Sequence, residues 1–226
     1  MTEKEIRKYI DRLNNKKGQE SIFTRPISEK VEIGRVWSEQ PKKNHNPGSP
    51  SSYKFFFIKN DLGIYVGAIL DMHSDLHWYV IPKERKKGFL TKSLKETILP
   101  YLFQERDEQK ITIGKGIGEK NHQNSKTVAL KLGFNPIDEQ QIEFLLKKSE
   151  FNLSSKKLNE VNSRIGNERI EILTKRVNYA SKILEKVSDE LLMAYADDKK
   201  LLDIPIKLES YSYKIEDLMW KYEKSK

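Results

Sequence analysis

The sequence predicts a mixed α/β domain over residues 1–150, followed by a helical extension over residues 151–226. Three observations lead to this fold class. Short apolar and aromatic runs separated by turn residues fill the range 31–81, as is typical of strands. Helical spacing of apolar residues then alternates with short strands up to residue 146. Beyond residue 170, one apolar repeat continues for four heptads, which indicates long helices.

The composition fits a folded protein with a hydrophobic core and a charged, solvated surface. The chain has 226 residues, 37% of them hydrophobic, and its 9 Phe, 10 Tyr and 3 Trp suffice for a packed core. The absence of cysteine excludes disulfides, thiolate metal sites and a cysteine nucleophile. No run approaches the ~18–20 apolar residues of a membrane span, and residues 1–8 lack the apolar stretch of a secretory signal. We therefore expect a cytoplasmic protein with no membrane partner.

The net charge of +9 lies mostly in the first domain, because residues 1–150 hold +7 of it and residues 151–226 hold +2. Such a charge attracts anions, among them phosphorylated cofactors, nucleic acids and acidic proteins. A solvated lysine-rich surface explains the same excess. Charge alone does not choose among these interpretations.

The first half of the domain is predicted to hold one helix and four strands. Residues 3–14 form an amphipathic helix, since their apolar residues share one face: Ile6, Tyr9, Ile10 and Leu13. Residues 31–37 form a strand, and the proline-rich range 39–52 is a loop that either connects strands or covers an acceptor site. Residues 53–70 form a hairpin whose aromatic residues enter the core, and residues 75–81 form a strand that Pro82 ends.

The second half returns to helical spacing. A helix begins near Leu90 and continues through Leu102, and residues 111–113 form a short strand. Residues 121–132 form a second helix, which Gly133 ends in the position of a C-terminal cap. Residues 142–146 form the last strand of the domain.

The extension is predicted to be a coiled coil or a helical hairpin. Its apolar residues step by three and four positions: Ile170, Leu173, Val177, Ala180, Leu184, Val187, Leu191 and Ala194. The segment 203–205 breaks this pattern, and a second stripe follows at Tyr211, Ile215, Leu218 and Tyr222. The first stripe, residues 170–194, closes either within one chain or between two chains of a homodimer.

A basic loop between the strand 75–81 and the following helix is the main candidate for a binding site. Backbone N–H groups gather at the start of the helix, close to Arg85, Lys86 and Lys87, and this combination suits a phosphate group. Gly88 allows the backbone to approach an anion, because a Cβ atom there would block an oxygen. The glycine patterns of P-loops and of dinucleotide-binding folds are both absent.

Two motifs give the domain a family resemblance. Arg85-x-x-Gly88-x-Leu90 resembles the Arg/Gln-x-x-Gly-x-Gly/Ala signature of the GNAT N-acetyltransferase superfamily. The segment Asn124 to Phe134, which ends in Lys-Leu-Gly-Phe, looks like the second signature of that family. Over residues 20–148 the domain is most similar to the branch of ribosomal-protein N-terminal acetyltransferases. The resemblance implies a mostly antiparallel, split sheet flanked by helices.

The resemblance also implies acetyl-CoA as co-substrate, bound in the opening between the strands 75–81 and 111–113. Its pantetheine arm would pair with the backbone of Tyr79, Val80 and Ile81. Its pyrophosphate would contact a continuous segment with help from Arg85: Lys86, Lys87, Gly88, Phe89, Leu90 and Thr91. Its thiol end would lie beside Asn121, Asn124 and Ser125.

Three residues depart from the family pattern. Leu90 replaces a small residue, and His122 stands where the family commonly has asparagine. The tyrosine with which many members protonate the leaving thiolate falls at Ala129, so the proton comes from another group or the thiolate leaves unaided.

The base that accepts the proton of the amine is predicted on the strand 75–81. In this branch an acidic residue on the fourth strand often serves, and Asp75 matches its position. His77 is the rival, because an imidazole with a pKa near ~6.5 is a good base at neutral pH. If the strand begins early enough, His73, Asp75, His77 and Tyr79 share one face. Such a row diverges along a flat strand, so we expect no metal.

The predicted function is transfer of an acetyl group from acetyl-CoA to a primary amine, in a protein N-terminus, a lysine or a small molecule. Two alternatives stay open. The domain is a non-catalytic acyl-CoA-binding scaffold that acts through its coiled-coil extension, or it acetylates aminoacyl-tRNA or another amine linked to a nucleic acid.

Overall fold

A computed structural model describes residues 1–18, 20–42, 52–152, 165–195 and 199–224. Most of the predicted loop 39–52 lies outside these residues. None of the helices in the described part is both long and apolar enough to cross a membrane.

The chain divides into a first unit, Met1–Ser163, and a second unit, Arg164–Lys226. The sequence predicts this boundary near residue 150. Phe151 still packs in the first unit, where its ring lies 5.4 Å from the ring of Phe103. The first unit therefore extends beyond the last predicted strand.

The first unit contains a five-stranded antiparallel sheet in the order β1-β2-β3-β4-β5. Its strands are β1 (Ile22–Pro26), β2 (Val31–Val36), β3 (Tyr53–Lys59), β4 (Tyr65–Asp71) and β5 (Leu76–Val80). The sequence predicts β2 to β5, with the hairpin β3-β4, but not β1. That strand is short, ends in proline and lies at the sheet edge, where proline is tolerated because no ladder bond is lost.

Both faces of this sheet are covered. Strand β3 has a continuous apolar run, as expected for a strand buried on two sides, and its phenylalanines alternate between the faces. Phe55 and Phe57 pack on one face, and Phe56 packs on the other. The first face is covered by α1 (Glu3–Asn14), whose Tyr9 ring lies 5.8 Å from the ring of Phe55. A capping box between Thr2 and Glu5 begins this helix.

The opposite face packs against a helical segment that runs from residue 89 to residue 102. It consists of α2 (Phe89–Ser93), a π-helical segment (Leu94–Ile98) and α3 (Leu99–Leu102). The π-helical part was not predicted. It directly precedes the turn that contains Pro100, which has no N–H group to donate to the previous turn.

A second sheet completes the unit, with three antiparallel strands in the order β6-β8-β7. The strands are β6 (Glu108–Thr112), β7 (Asn135–Pro136) and β8 (Glu143–Lys147), and α4 (Glu119–Lys131) lies between β6 and β7 in the chain. Gly133 has a positive φ of 90° and follows the last turn of α4, which confirms the predicted helix end. Strand β6 begins three residues before the predicted strand, and the two-residue β7 was not predicted.

The second unit consists of α5 (Asn167–Tyr195) and α6 (Lys199–Lys224), which pack against each other. Helix α6 continues through Pro205, so the predicted break at 203–205 is wrong. The predicted heptad stripe is correct only in part. Ser181 and Ser188 are buried, whereas three predicted members, Ala180, Val187 and Ala194, are exposed. In a straight helix with 3.6 residues per turn, residues spaced by a 3.5-residue repeat rotate gradually around the helix axis. The heptad stripe therefore moves away from the face that packs on α6.

Candidate functional site

A cleft of about 540 Å³ opens between the edge of the first sheet and the edge of the second. Strand β5 lines one side, and the end of β6 with residues 113–114 lines the other. The start of α2 and one face of α4 close the remaining sides. The sheet is therefore split at the place where the resemblance implies an acetyl-CoA site.

The two sheets are held together at one end of the cleft. Arg106, just before β6, forms an ion pair with Asp71 at the end of β4, in which one terminal guanidinium nitrogen contacts both carboxylate oxygens at 2.7 and 2.9 Å. Asp75 accepts hydrogen bonds at Oδ1 from the backbone N–H groups of Leu76 (2.8 Å) and Thr112 (2.9 Å). Asp75 thus fastens the start of β5 to the end of β6, and it does not line the cleft.

The edge of β5 offers unpaired backbone groups to the cleft. Ile81 donates its N–H to Val66 of β4, and hydrogen-bonded residues alternate along an antiparallel ladder. Tyr79 is therefore bonded to β4, whereas the N–H groups of Trp78 and Val80 point to the cleft side. The sequence predicts pairing along Tyr79, Val80 and Ile81. Of these residues, only Val80 turns its N–H group to the cleft side, and the neighbouring Trp78 does so as well.

The loop before α2 presents backbone donors to the cleft. Gly88 has a φ of 84° and precedes the first helical residue, and no side chain caps the helix there. The first intrahelical bond runs from the N–H of Lys92 to the carbonyl of Gly88, so the N–H groups of Phe89, Leu90 and Thr91 have no intrahelical acceptor. A Cβ atom at Gly88 would meet nothing within 4 Å, because the position faces open space.

Arg85 connects this loop to both sides of the cleft. Its Nε donates to the carbonyl of Val80 (2.9 Å), and one terminal nitrogen donates to Oδ1 of Asn121 in α4 (3.1 Å). Its guanidinium also lies over the ring of Tyr79, 5.7 Å from the ring centre. These contacts hold a positive charge beside the uncapped start of α2. Lys86 lines the cleft as well, but Lys87 pairs with Glu84 (3.0 Å) and does not.

Helix α4 contributes the remaining polar lining. Asn121, Asn124 and Ser125 all face the cleft, as the resemblance implies. The indole N–H of Trp78 donates to the hydroxyl of Ser125 across the cleft, over 3.4 Å. Ala129 is fully buried in the core, and this α4 position therefore offers no proton donor to the cleft.

The imidazole of His77 lines the cleft from β5. Its Nε2 is buried and has no hydrogen-bond partner in the described part of the chain. Burial lowers the pKa of His77, because the charged imidazolium loses hydration, although the carboxylates of Glu3 and Asp75 oppose this shift. The imidazole is therefore mainly neutral at pH 7.

The predicted row of four residues on one strand face is only half formed. Strand β5 begins at Leu76, so Asp75 precedes it. His73 lies in a turn with a positive φ of 70°. His77 and Tyr79 remain on one face, the face that α1 covers. Because Glu3 of α1 lines the cleft together with His77, a carboxylate stands at this side of the site.

Several site residues were missed from the sequence. Glu3 precedes His77 by 74 residues, and only the packing of α1 onto the first sheet brings both to one cleft. Trp78 belongs to the predicted strand, and strict alternation of ladder bonds would have identified it. Ile111, Thr112 and Ile113 line the cleft where the resemblance implies its second wall. The chain matches no protein-family model, no curated protein and no solved structure in the three comparisons made.

Proposed function

We propose that the protein is an acetyl-CoA-dependent N-acetyltransferase, in which a primary amine attacks the thioester directly within a ternary complex. One observation supports this most strongly: a single cleft combines a free strand edge with an uncapped, basic helix start. A pantetheine arm carries amide groups that pair with a strand edge, and a pyrophosphate suits N–H groups at a helix start.

The co-substrate binds along the cleft from α2 towards α4. Its pyrophosphate accepts hydrogen bonds from the N–H groups of Phe89, Leu90 and Thr91, beside the charges of Arg85 and Lys86. Its pantetheine arm pairs with the backbone of β5 at Val80. Its thioester end lies beside Asn124 and Ser125. The departure at Leu90 leaves these backbone donors in place.

The acceptor amine enters from the side of His77. Neutral His77 takes a proton from the ammonium, directly or through a water molecule, and the freed nitrogen lone pair attacks the thioester carbonyl carbon. The N–H of Trp78, the next free donor along the edge of β5, stabilises the negative charge that develops on the carbonyl oxygen. The C–S bond then breaks, and coenzyme A leaves as a thiolate. A thiol with a pKa of about 8.5 is a fair leaving group, so no acid is required at position 129.

Calorimetric titration of acetyl-CoA into the purified chain tests the proposal. We expect micromolar affinity, and we expect Gly88→Trp to abolish binding because the indole fills the space in front of the helix start. Arg85→Glu should weaken binding about 10- to 100-fold, the loss typical of a charge-assisted hydrogen bond replaced by repulsion.

The chain supplies matched controls for both variants. Gly63 also has a positive φ and open space around its Cβ position, but it lies in the β3–β4 turn, so Gly63→Trp should bind normally. Arg35→Glu makes the same charge change at an exposed position of β2 and should also bind normally. If the wild-type protein shows no affinity for acetyl-CoA, the proposal is wrong.

The side of the cleft that receives the amine carries negative charge at Glu3, which favours a cationic acceptor. Glu3→Gln should raise KM for the amine about 3- to 10-fold, because it removes one partly exposed attraction to the ammonium. It should leave kcat and KM for acetyl-CoA unchanged. The measurement is steady-state release of coenzyme A with an acceptor chosen from peptides, polyamines and aminoglycosides.

Asp11→Asn is the control for the Glu3 variant, since it removes a carboxylate from the exposed side of the same helix. Equal effects of both variants on KM would contradict a local role for Glu3.

A second candidate function is supported by the core position of Ala129, which leaves α4 without a proton donor at that place. In this case the domain binds acyl-CoA without transferring the acyl group. Acetyl-CoA binding that Gly88→Trp abolishes, combined with no turnover for any amine in the panel, would favour this function over catalysis.

A further inference from the structure

Helix α5 has a second apolar face, which does not pack against α6. One face contacts α6 through half-buried and buried residues, and Ser181 in this face donates its hydroxyl to the carbonyl of Pro205 (2.9 Å). The other face is exposed along the whole helix. Among its side chains Tyr179 is 69% exposed, Ile183 is 46% exposed and Val187 is 45% exposed. Large apolar side chains arranged in a stripe indicate a contact surface.

The exposed face has a symmetric sequence pattern centred on Ile183. Its positions lie 4, 7 and 11 residues before and after the centre, which is the spacing of one helix face. Before Ile183 these positions hold Tyr179, Arg176 and Ile172. After it they hold Val187, Glu190 and Ala194. All seven residues are exposed. At equal distances from Ile183, the two directions therefore have apolar residues opposite apolar residues and a basic residue opposite an acidic one. This arrangement suits antiparallel pairing of the helix with its own copy.

Helix α6 adds a stripe of its own at intervals of seven residues: Ile204, Tyr211 and Leu218. All three are exposed, between 46% and 55%. Viewed along the axis of α6, the direction of this stripe is about 80° from the direction of the face that packs on α5. Two consecutive helices joined by a short connection run antiparallel. With that orientation, the stripe of α6 and the exposed face of α5 lie on the same side of the helical hairpin.

We propose that the second unit binds a second copy of itself, with α5 antiparallel to α5 of the partner and a two-fold axis at Ile183. This inference is independent of the proposed function. It also differs from the sequence-based homodimer, in which the heptad stripe of residues 170–194 formed the contact, because most of that stripe packs on α6 within the chain.

The charges of the face agree with this pairing. About a two-fold axis at Ile183, residues whose numbers are equally distant from 183 face each other. Arg176 of one copy then meets Glu190 of the other, and this contact occurs twice. Tyr179 meets Val187, and Ile172 meets Ala194, so each apolar residue has an apolar partner.

The apolar area is also sufficient. The exposed large side chains of the two stripes present about 700 Å² in each copy, so two copies can bury up to about 1,400 Å², which falls within the range of stable protein–protein interfaces. The resulting four-helix arrangement encloses a core that a lone hairpin lacks.

The oligomeric state of the full-length chain tests the proposal. Light scattering during gel filtration should give twice the chain mass of 26.5 kDa for the wild type. Ile183→Glu should give a monomer, because it places two carboxylates against each other at the axis. Asn178→Glu changes an exposed residue on the opposite side of α5 and should stay dimeric. Circular dichroism should show equal helix content in all three, which separates dissociation from unfolding.

Two further experiments test the register. The chain contains no cysteine, so Ile183→Cys should form a disulfide-linked dimer under mild oxidation, whereas Asn178→Cys should not. Arg176→Glu and Glu190→Arg should each weaken the dimer about tenfold or more, and the double variant should restore it, since the swapped charges meet again across the axis. A monomeric wild type overturns the proposal. Cross-linking of the Asn178→Cys variant as efficient as that of the Ile183→Cys variant overturns it as well.

Discussion

His77→Gln should lower kcat for acetyl transfer at pH 7 by about 10²- to 10⁴-fold, the contribution of a positioned general base. Glutamine keeps a polar group of similar length but does not accept the proton of the ammonium. The affinity for acetyl-CoA should be unchanged, because the proposed phosphate and pantetheine contacts belong to the α2 loop and to backbone groups of β5. Steady-state kinetics and calorimetry on the same preparation measure both quantities.

The pH profile gives a second readout for His77. Burial lowers the pKa of His77 below its usual value of 6.5, so the active neutral form is lost only at acidic pH. As pH falls through this lowered pKa, kcat of the wild type at saturating acceptor should decrease with a slope of one. His77→Gln should lack this acidic limb, which a purely structural effect would leave in place.

Two neighbouring residues serve as controls for His77. His73→Gln makes the same replacement at an exposed turn outside the cleft and should keep full activity. Asp75→Asn should also keep most activity, since an amide oxygen still accepts the N–H groups of Leu76 and Thr112. If Asp75→Asn removes activity and His77→Gln does not, Asp75 is the base and our assignment is wrong.

Arg106→Met should lower the free energy of unfolding of the first unit by about 3 kcal/mol, at the lower end of the cost of breaking a buried ion pair. The Asp71 side chain is only 1% exposed and that of Arg106 only 9%, so the variant leaves a buried carboxylate. Lys54 stays 3.2 Å from Asp71, which limits the loss. Arg106 also donates to the carbonyl of His73 (2.8 Å) and to the side chain of Gln109 (2.7 Å).

Urea denaturation followed by tryptophan fluorescence measures this loss. Trp220 belongs to the second unit, and a Trp220→Phe background therefore restricts the signal to the first unit, which holds Trp37 and Trp78. Lys30→Met is the control, because its ion pair with Asp61 is largely exposed and should contribute less than about 1 kcal/mol. A loss for Arg106→Met as small as that of the control would show that the pair does not hold the two sheets together.

The local patterns predicted most elements of the first unit. Helix α1, strands β2 to β5, the helical segment after Gly88 and the end of α4 at Gly133 all agree with the prediction. These elements have regular periodicity and clear capping or turn residues. Strands β1 and β7 were missed because they are short, contain proline and are held in place by pairing with β2 and β8, which a local pattern does not reveal.

The second unit shows where a repeat alone is misleading. The apolar steps of three and four residues identified long helices. However, Pro205 lies inside α6 and does not end a helix, and the most buried residues of α5 are Ser181 and Ser188, which are not part of the apolar repeat. Serines are not recognised as interface residues by a hydrophobic pattern. Their burial follows from the geometry of the partner helix.

The sequence by itself determined the class of the fold, the basic loop before α2 and most of the residues that this loop and α4 turn towards the cleft, because each rests on neighbours within one turn or one strand. The tertiary structure decided how the distant parts combine. It separated Asp75, which fastens the two sheets, from His77, which lines the cleft, although the two lie only two positions apart in the chain. It also brought Glu3 to the cleft and left one face of α5 exposed to solvent. These outcomes depend on which surfaces pack together, and packing is a property of the whole chain that no local pattern contains.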